Sequence, residues 1–159
     1  MATKAEPMNP DDERRLGAAL FNATWTLLEK EDRTRDDDDL MVHTAHASAY
    51  HWRQVGSAAN VARSEWQCSR VYAVLRRPEP CLHHARRALD ICTQNRLGDF
   101  DLAFAYEALA RGQAVAGEAD QARAFTEQAL HAAEDIKEND DRALLLSDLE
   151  TIPGQPRFW

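Results

Sequence analysis

The sequence predicts an all-α fold of about seven helices paired into antiparallel hairpins, and three observations predict it. Apolar residues recur at steps of three and four along most of the chain, the spacing of one face of a helix with a period of about 3.6 residues. Only six Gly and six Pro interrupt the sequence, so elements are long and connections short. A length of 159 residues sustains one domain with a real core and is too short for two of ordinary size. The expected organisation is a disordered lead-in over 1–9, a single helical domain over 10–152 and a Pro-bounded tail over 153–159.

Asn9-Pro10 supplies an N-cap followed by Pro at the first helical position, and Asp11, Asp12 and Glu13 place negative charge on the positive end of the macrodipole. A first helix is expected over about 10–30. Leu16, Ala19, Leu20, Ala23 and Leu27 make one apolar face, and Phe21, Trp25 and Leu28 make a second. Two apolar faces mean a helix sandwiched between neighbours or used in contact with another copy. The run Asp36, Asp37, Asp38, Asp39 then marks a helix start, where carboxylates complement the dipole, with a metal-binding cluster as the other reading.

The second helix is expected over about 38–55, with Met41, Ala45, Ser48, Trp52 and Val55 as its core stripe. Its other face carries Leu40, His43, Ala47 and Tyr50, with His46 at the edge. Gly56 breaks this helix and Ser57 caps the third, which runs to about Arg76. There Ala58, Val61, Ala62, Ser69 and Tyr72 form the stripe, and Glu65 sits in its middle, where a carboxylate needs a partner. Pro78 and Pro80 open a fourth helix over about 79–96, with Cys81, Ala85, Ala88, Leu89 and Cys92 inward.

The stretch 99–136 reads as two helices joined at Ala116, Gly117 and Glu118. The first turns Tyr106, Leu109, Ala110 and Ala114 inward, and the second turns Ala119, Ala122, Thr126, Ala129, Ala133 and Ile136 inward. Small residues in that stripe permit close helix packing, and Gly117 supplies the positive φ that ends the first helix. A seventh helix is expected over about 140–151 with Ala143, Leu144, Leu146 and Leu149 as its apolar set. Pro153, Gly154 and Pro156 forbid regular structure beyond it, leaving Phe158 and Trp159 to fold back on the chain or to insert into another copy, with a frayed end as the other reading.

A shift of 41 residues lays the third and fourth helices on the fifth and sixth. Arg70 falls on Arg111, Ala73 on Ala114, Val74 on Val115, Cys81 on Ala122, Ala88 on Ala129 and Leu89 on Leu130. With Leu109 and Ala110 at the packing positions of a first helix, Gly117 at the turn, and Ala122, Ala129 and Leu130 in a second helix, residues 57–136 resemble the tetratricopeptide-repeat family. The preceding pair carries Ser69 in place of the small packing residue. Its period exceeds the family's length of about 34 because the connection at 95–101 is longer. The resemblance implies a TPR-like right-handed stack of helix pairs whose concave face takes a peptide or partner helix, and it carries no catalytic residue. The first two helices would open the stack and the seventh would cap it.

A formal net charge of −8, with basic residues interleaved among acidic ones, argues against nucleic acid as a partner. No segment approaches the roughly 18 apolar residues that a membrane span requires, and residues 1–10 contain no signal-peptide run, so a cytoplasmic protein is expected. Cys68, Cys81 and Cys92 are odd in number and form no C-x-x-C pair, which reads as free thiols in a reducing compartment. Gly-rich phosphate loops and the G-x-S-x-G motif are absent.

Two functional expectations follow. The leading one is a non-catalytic interaction module, without cofactor, that binds a protein, a peptide or itself. Its groove would be lined by the second, third and fifth helices and by His43, His46, Tyr50, Glu65, Trp66 and Tyr106; self-association would use Phe158 and Trp159 or the first helix. The alternative is a small metal-dependent enzyme or metal-binding protein. His43 and His46 emerge from adjacent turns of one helix, and Glu65 and His84 from the next two could complete a His/carboxylate site for a transition metal such as Zn. The simplest reading of these four residues is a polar network that satisfies a buried Glu65.

Overall fold

The structure, a computed structural model, describes residues 6–159; the first part of the expected lead-in, residues 1–5, lies outside the described residues. The described residues form seven helices and no strand: α1 (Pro10–Leu28), α2 (Arg35–Val55), α3 (Ala58–Val74), α4 (Pro78–Gln94), α5 (Asp99–Val115), α6 (Ala119–Ala133) and α7 (Asn139–Glu150). No helix of the described residues is long and apolar enough to cross a membrane.

The ends of these helices follow from local chemistry. Asn9 accepts a hydrogen bond from the Asp11 N–H ahead of Pro10, as the sequence predicts. The start of α2 moves from the expected Asp38 back to Arg35. Thr34 and Asp37 form a capping box in which each side chain accepts from the other's backbone N–H, so the acidic run lies inside the first turn. Asp37 also holds Lys30 at 2.6 Å and Asp38 holds Arg33 at 2.8 Å, so half of that run is engaged by basic side chains of the chain itself. Ser57 and Asn60 repeat the capping box at α3. Two helices end at arginines in the left-handed region, Arg76 (φ 56°) after α3 and Arg96 (φ 54°) after α4, where α5 uses Gly117 (φ 81°).

Neighbours in sequence pack antiparallel. In the α1/α2 pair, Thr24 meets Thr44, Ser48 Oγ donates to the Gly17 carbonyl, and His51 meets Glu13. In α3/α4, Ser69 Oγ donates to the Cys81 carbonyl at one end while Ala62 packs with Ala88 at the other. Small residues set the spacing: a Cβ added at Gly112 of α5 would lie 2.7 Å from Leu82 Cδ2 and 3.2 Å from Cys81 Sγ of α4.

The odd-numbered helices lie side by side and run parallel. The rings of Trp25 (α1) and Trp66 (α3) are 5.6 Å apart, and Trp66 Nε1 donates to Glu107 of α5, across the same separation of 41 residues. Arg111 of α5 in turn donates to the Asp148 carbonyl of α7 at 2.8 Å. Each even-numbered helix packs mainly on its odd neighbours, so the odd helices form an inner layer. Ala88 and Ala129, the pair matched by the sequence repeat, are both fully buried against α-helical alanines one repeat apart, Ala62 and Ala103. The last layer is closed by Leu145, Leu149 and Ile152 over Ala103, Phe104, Ala129 and Ile136, and Trp159 returns to pack on the same cluster.

Candidate functional site

The inner layer leaves one large groove, about 580 Å³, between α1, α3, α5 and α7. Trp66 stands at its centre because position 66 faces the neighbouring odd helix on each side. Its ring lies 5.6 Å from that of Trp25 and meets Phe104 edge-on at 5.5 Å, and Phe104 lies 4.4 Å from Phe100. Phe21, the alanines at 62, 88 and 105, and Leu144 complete an apolar wall. Leu144 is half exposed, so part of the wall faces solvent.

Four of the five charged side chains in this wall are paired with one another, and Glu29 is the one left without an ion pair among the described residues. Arg63 grips both oxygens of Asp101, at 2.7 and 3.1 Å. Arg70 Nη2 donates to Asp148 at 2.6 Å and to Glu107 at 3.3 Å, with its guanidinium carbon 5.4 Å from the Trp66 ring centroid. Glu107 is completely buried and also accepts from Arg111 Nε at 2.7 Å. Burial alone would push its carboxyl up, but the positive charges of Arg111 and Arg70 outweigh it and hold it below the usual carboxylate range. The Arg70 Nε–H is buried with no hydrogen-bond partner.

The expected site residues divide between this groove and other places. Trp66 lines the groove; His43, His46, Tyr50, Glu65 and Tyr106 do not. The expected lining by the second, third and fifth helices is thereby corrected to α1, α3, α5 and α7 with a contribution from α4, because α2 sits in the outer layer and turns its histidine face away. Tyr50 is exposed on α2, His43 is exposed one face-turn earlier, and Tyr106 is half-buried against the α5–α7 core cluster.

His46, Glu65 and His84 come together in a second cluster across α2, α3 and α4. Glu65 accepts from Arg53 Nη2 on one oxygen and meets His84 Nδ1 on the other, each at 2.6 Å. Both oxygens are engaged, which answers why a carboxylate occupies the middle of the α3 stripe. Burial raises its carboxyl, yet the bonds from His84 and Arg53 prevail and leave it below its ordinary value. His46 Nε2 lies 2.8 Å from the Tyr72 hydroxyl, and its ring is 5.2 Å from that of His84. Burial, and then the neighbouring His84, lower the basicity of His46, while burial raises the Tyr72 phenol, so the hydroxyl donates to a neutral ring. Among the described residues no three His, Cys, Asp or Glu side chains are grouped so as to hold a metal ion.

Cys68, Cys81 and Cys92 are all buried free thiols. Burial pushes Cys68 up to about 12 and Cys92 up to about 11, so both stay protonated and act as small apolar side chains.

The groove residues that sequence reasoning passed over were visible as anomalies. Phe21 and Trp25 are the second apolar face of α1, which has a groove to line. Glu107 interrupts an otherwise apolar run from Ala103 to Ala110, the same signal that singled out Glu65. Arg63, Arg70 and Asp148 left no such mark, since each sits on a face of mixed polarity. Comparison with protein-family models, with curated proteins and with solved structures finds no match for this chain.

Proposed function

We propose that the protein is a non-catalytic interaction module, a TPR-like stack whose inner groove binds apolar side chains of a peptide or partner helix. The observation that carries this reading is the groove itself: about 580 Å³ walled by Phe21, Trp25, Trp66, Phe100 and Phe104, a size and character suited to large apolar side chains. The parallel odd helices, related by contacts at the spacing of the sequence repeat, support the TPR-like part of it. The charged groups of the wall favour binding over acid–base chemistry, because Arg63, Arg70, Asp101 and Asp148 are tied to one another.

The test is a peptide array probed with the full chain, followed by titration of a captured peptide against variants. Leu144→Asp places a charge in the groove wall at a half-exposed position and is expected to weaken binding about tenfold or more with the melting temperature unchanged. Tyr50→Ala, outside the groove, is expected to leave affinity as it was. Wild-type affinity in Leu144→Asp would remove the groove from the function.

A further inference from the structure

The aromatic groove adjoins a second cavity of about 310 Å³, and the two share one residue, Arg70. This second cavity is lined by the C-terminal ends of α3 and α5 together with Pro153, and three of its lining residues are arginines: Arg70, Arg76 and Arg111. No acidic side chain lines it. On a chain of formal charge −8, a cavity walled by three arginines is the exception.

The three are differently committed. Arg111 is consumed by Glu107 and by the end of α7, where its Nη2 donates to the Asp148 carbonyl and to Thr151 Oγ1, each at 2.8 Å. Arg70 uses only Nη2 on Glu107 and Asp148, so its Nη1 makes no hydrogen bond within the described chain and its buried Nε–H has no partner. Arg76 is exposed, just past the end of α3, and is paired with no carboxylate among the described residues. The two internal carboxylates offset Arg70 and Arg111, and Arg76 leaves the cavity with a positive charge unmatched. A buried donor without an acceptor is costly, by about 1–3 kcal/mol in general, and a ligand oxygen is the group that would relieve it.

We propose that the groove selects segments in which an acidic residue lies close to an aromatic or large aliphatic one, the apolar side chain filling the Trp66 pocket and the carboxylate held by Arg70 and Arg76. This rests on the groove being the binding site and adds what it recognises. Charge complementarity sets the occupant: inside the second cavity, where no acidic side chain lines the wall, a carboxylate meets the guanidinium groups of Arg70 and Arg76, whereas an ammonium is repelled by them. Arg76 is the specificity-determining residue, because the charge of Arg70 is already offset by Asp148 and Glu107.

The experiment uses the full chain and three blocked peptides, Ala-Phe-Ala-Glu-Glu, its Gln-Gln counterpart and its Lys-Lys counterpart, titrated by the fluorescence of the protein's own tryptophans. The acidic peptide is expected to bind about tenfold tighter than the neutral one, with the advantage shrinking as salt is raised, and the Lys-Lys peptide to bind weakest. In Arg76→Gln, a change at an exposed position, the acidic peptide is expected to fall to the affinity of the neutral one while the neutral one is unchanged; Arg76→Lys restores most of the difference. Equal binding of the acidic and neutral peptides overturns the acidic preference and leaves the groove reading standing. Failure of all three to bind overturns both.

Discussion

At the scale of single residues, the two buried carboxylates of α3 and α5 are held in opposite ways with the same result. Glu107 sits between Arg70 and Arg111 and ties α3 to α5, and the same two arginines reach α7 at Asp148. Glu65 sits between Arg53 and His84 and ties α3 to its neighbours on either side. Two shifts in this cluster, those of His46 and Glu65, make a prediction about pH. Folded His46 holds a proton less readily than its ordinary 6.5, so its contribution to stability is complete above that value and drains as pH falls toward the folded value. Glu65, held below 4.5, adds a second loss at lower pH, when its carboxylate is protonated and its bonds to Arg53 and His84 weaken. Thermal unfolding followed from about pH 7 to about pH 5 is expected to show a falling melting temperature. His46→Gln, whose amide oxygen still accepts from Tyr72, is expected to flatten that slope. An unchanged slope in the variant would mean that other groups carry it.

At the scale of helices, most of what the sequence offers concerns where elements begin and end. The caps at Asn9 and Ser57, the break at Gly117 and the small-residue stripes are all properties of a few neighbouring side chains; the caps and the break appear where expected, and the α6 stripe does from Ala122 on, while Ala119 in its first turn is exposed. The termination of α3 and α4 departs from the usual chemistry in a way that can be measured. Arg96 occupies a left-handed conformation that costs a β-carbon-bearing residue about 1 kcal/mol relative to glycine, while its backbone N–H still bonds the Thr93 carbonyl. Arg96→Gly is therefore expected to raise stability by up to about 1 kcal/mol in denaturant titrations, in contrast to the usual loss on introducing Gly elsewhere in a helix. Which face of each helix looks inward was harder to read. The histidine face of α2 and the aromatic face of α1 have similar local patterns, and only the layering of odd helices inside even ones assigns the groove to Phe21 and Trp25. That layering depends on contacts across 37 to 41 residues, such as Arg111 with Asp148 and Trp66 with Glu107, which no local period encodes. The repeat at 41 residues was the one sequence signal of comparable range.

At the scale of the whole molecule, the end of the stack is closed by α7 and by the chain that follows it. Phe158 lies under the Arg123 guanidinium of α6 at 4.3 Å, Arg157 pairs with Glu150 at 2.8 Å, and Trp159 packs on the cluster that joins α5, α6 and α7. Of the fates the sequence allowed these rings (folded back, inserted into another copy or frayed), the structure has them folded back on their own chain. Half-buried aromatic side chains on an otherwise irregular tail stabilise by removing apolar surface from water, on the order of 1–3 kcal/mol for the pair. Deleting residues 155–159 is therefore expected to lower the melting temperature by several degrees while the mass in solution stays the same. Point variants separate packing from polarity, because the Trp159 indole N–H is buried with no acceptor. Trp159→Phe keeps an aromatic ring and removes the orphaned donor, so it is expected to be neutral or stabilising; Trp159→Ala loses the ring and is expected to behave like the deletion. A Trp159→Phe variant as unstable as Trp159→Ala would show that the indole nitrogen has an acceptor in solution, and a deletion with no effect on melting would show that the tail does not close the stack at all.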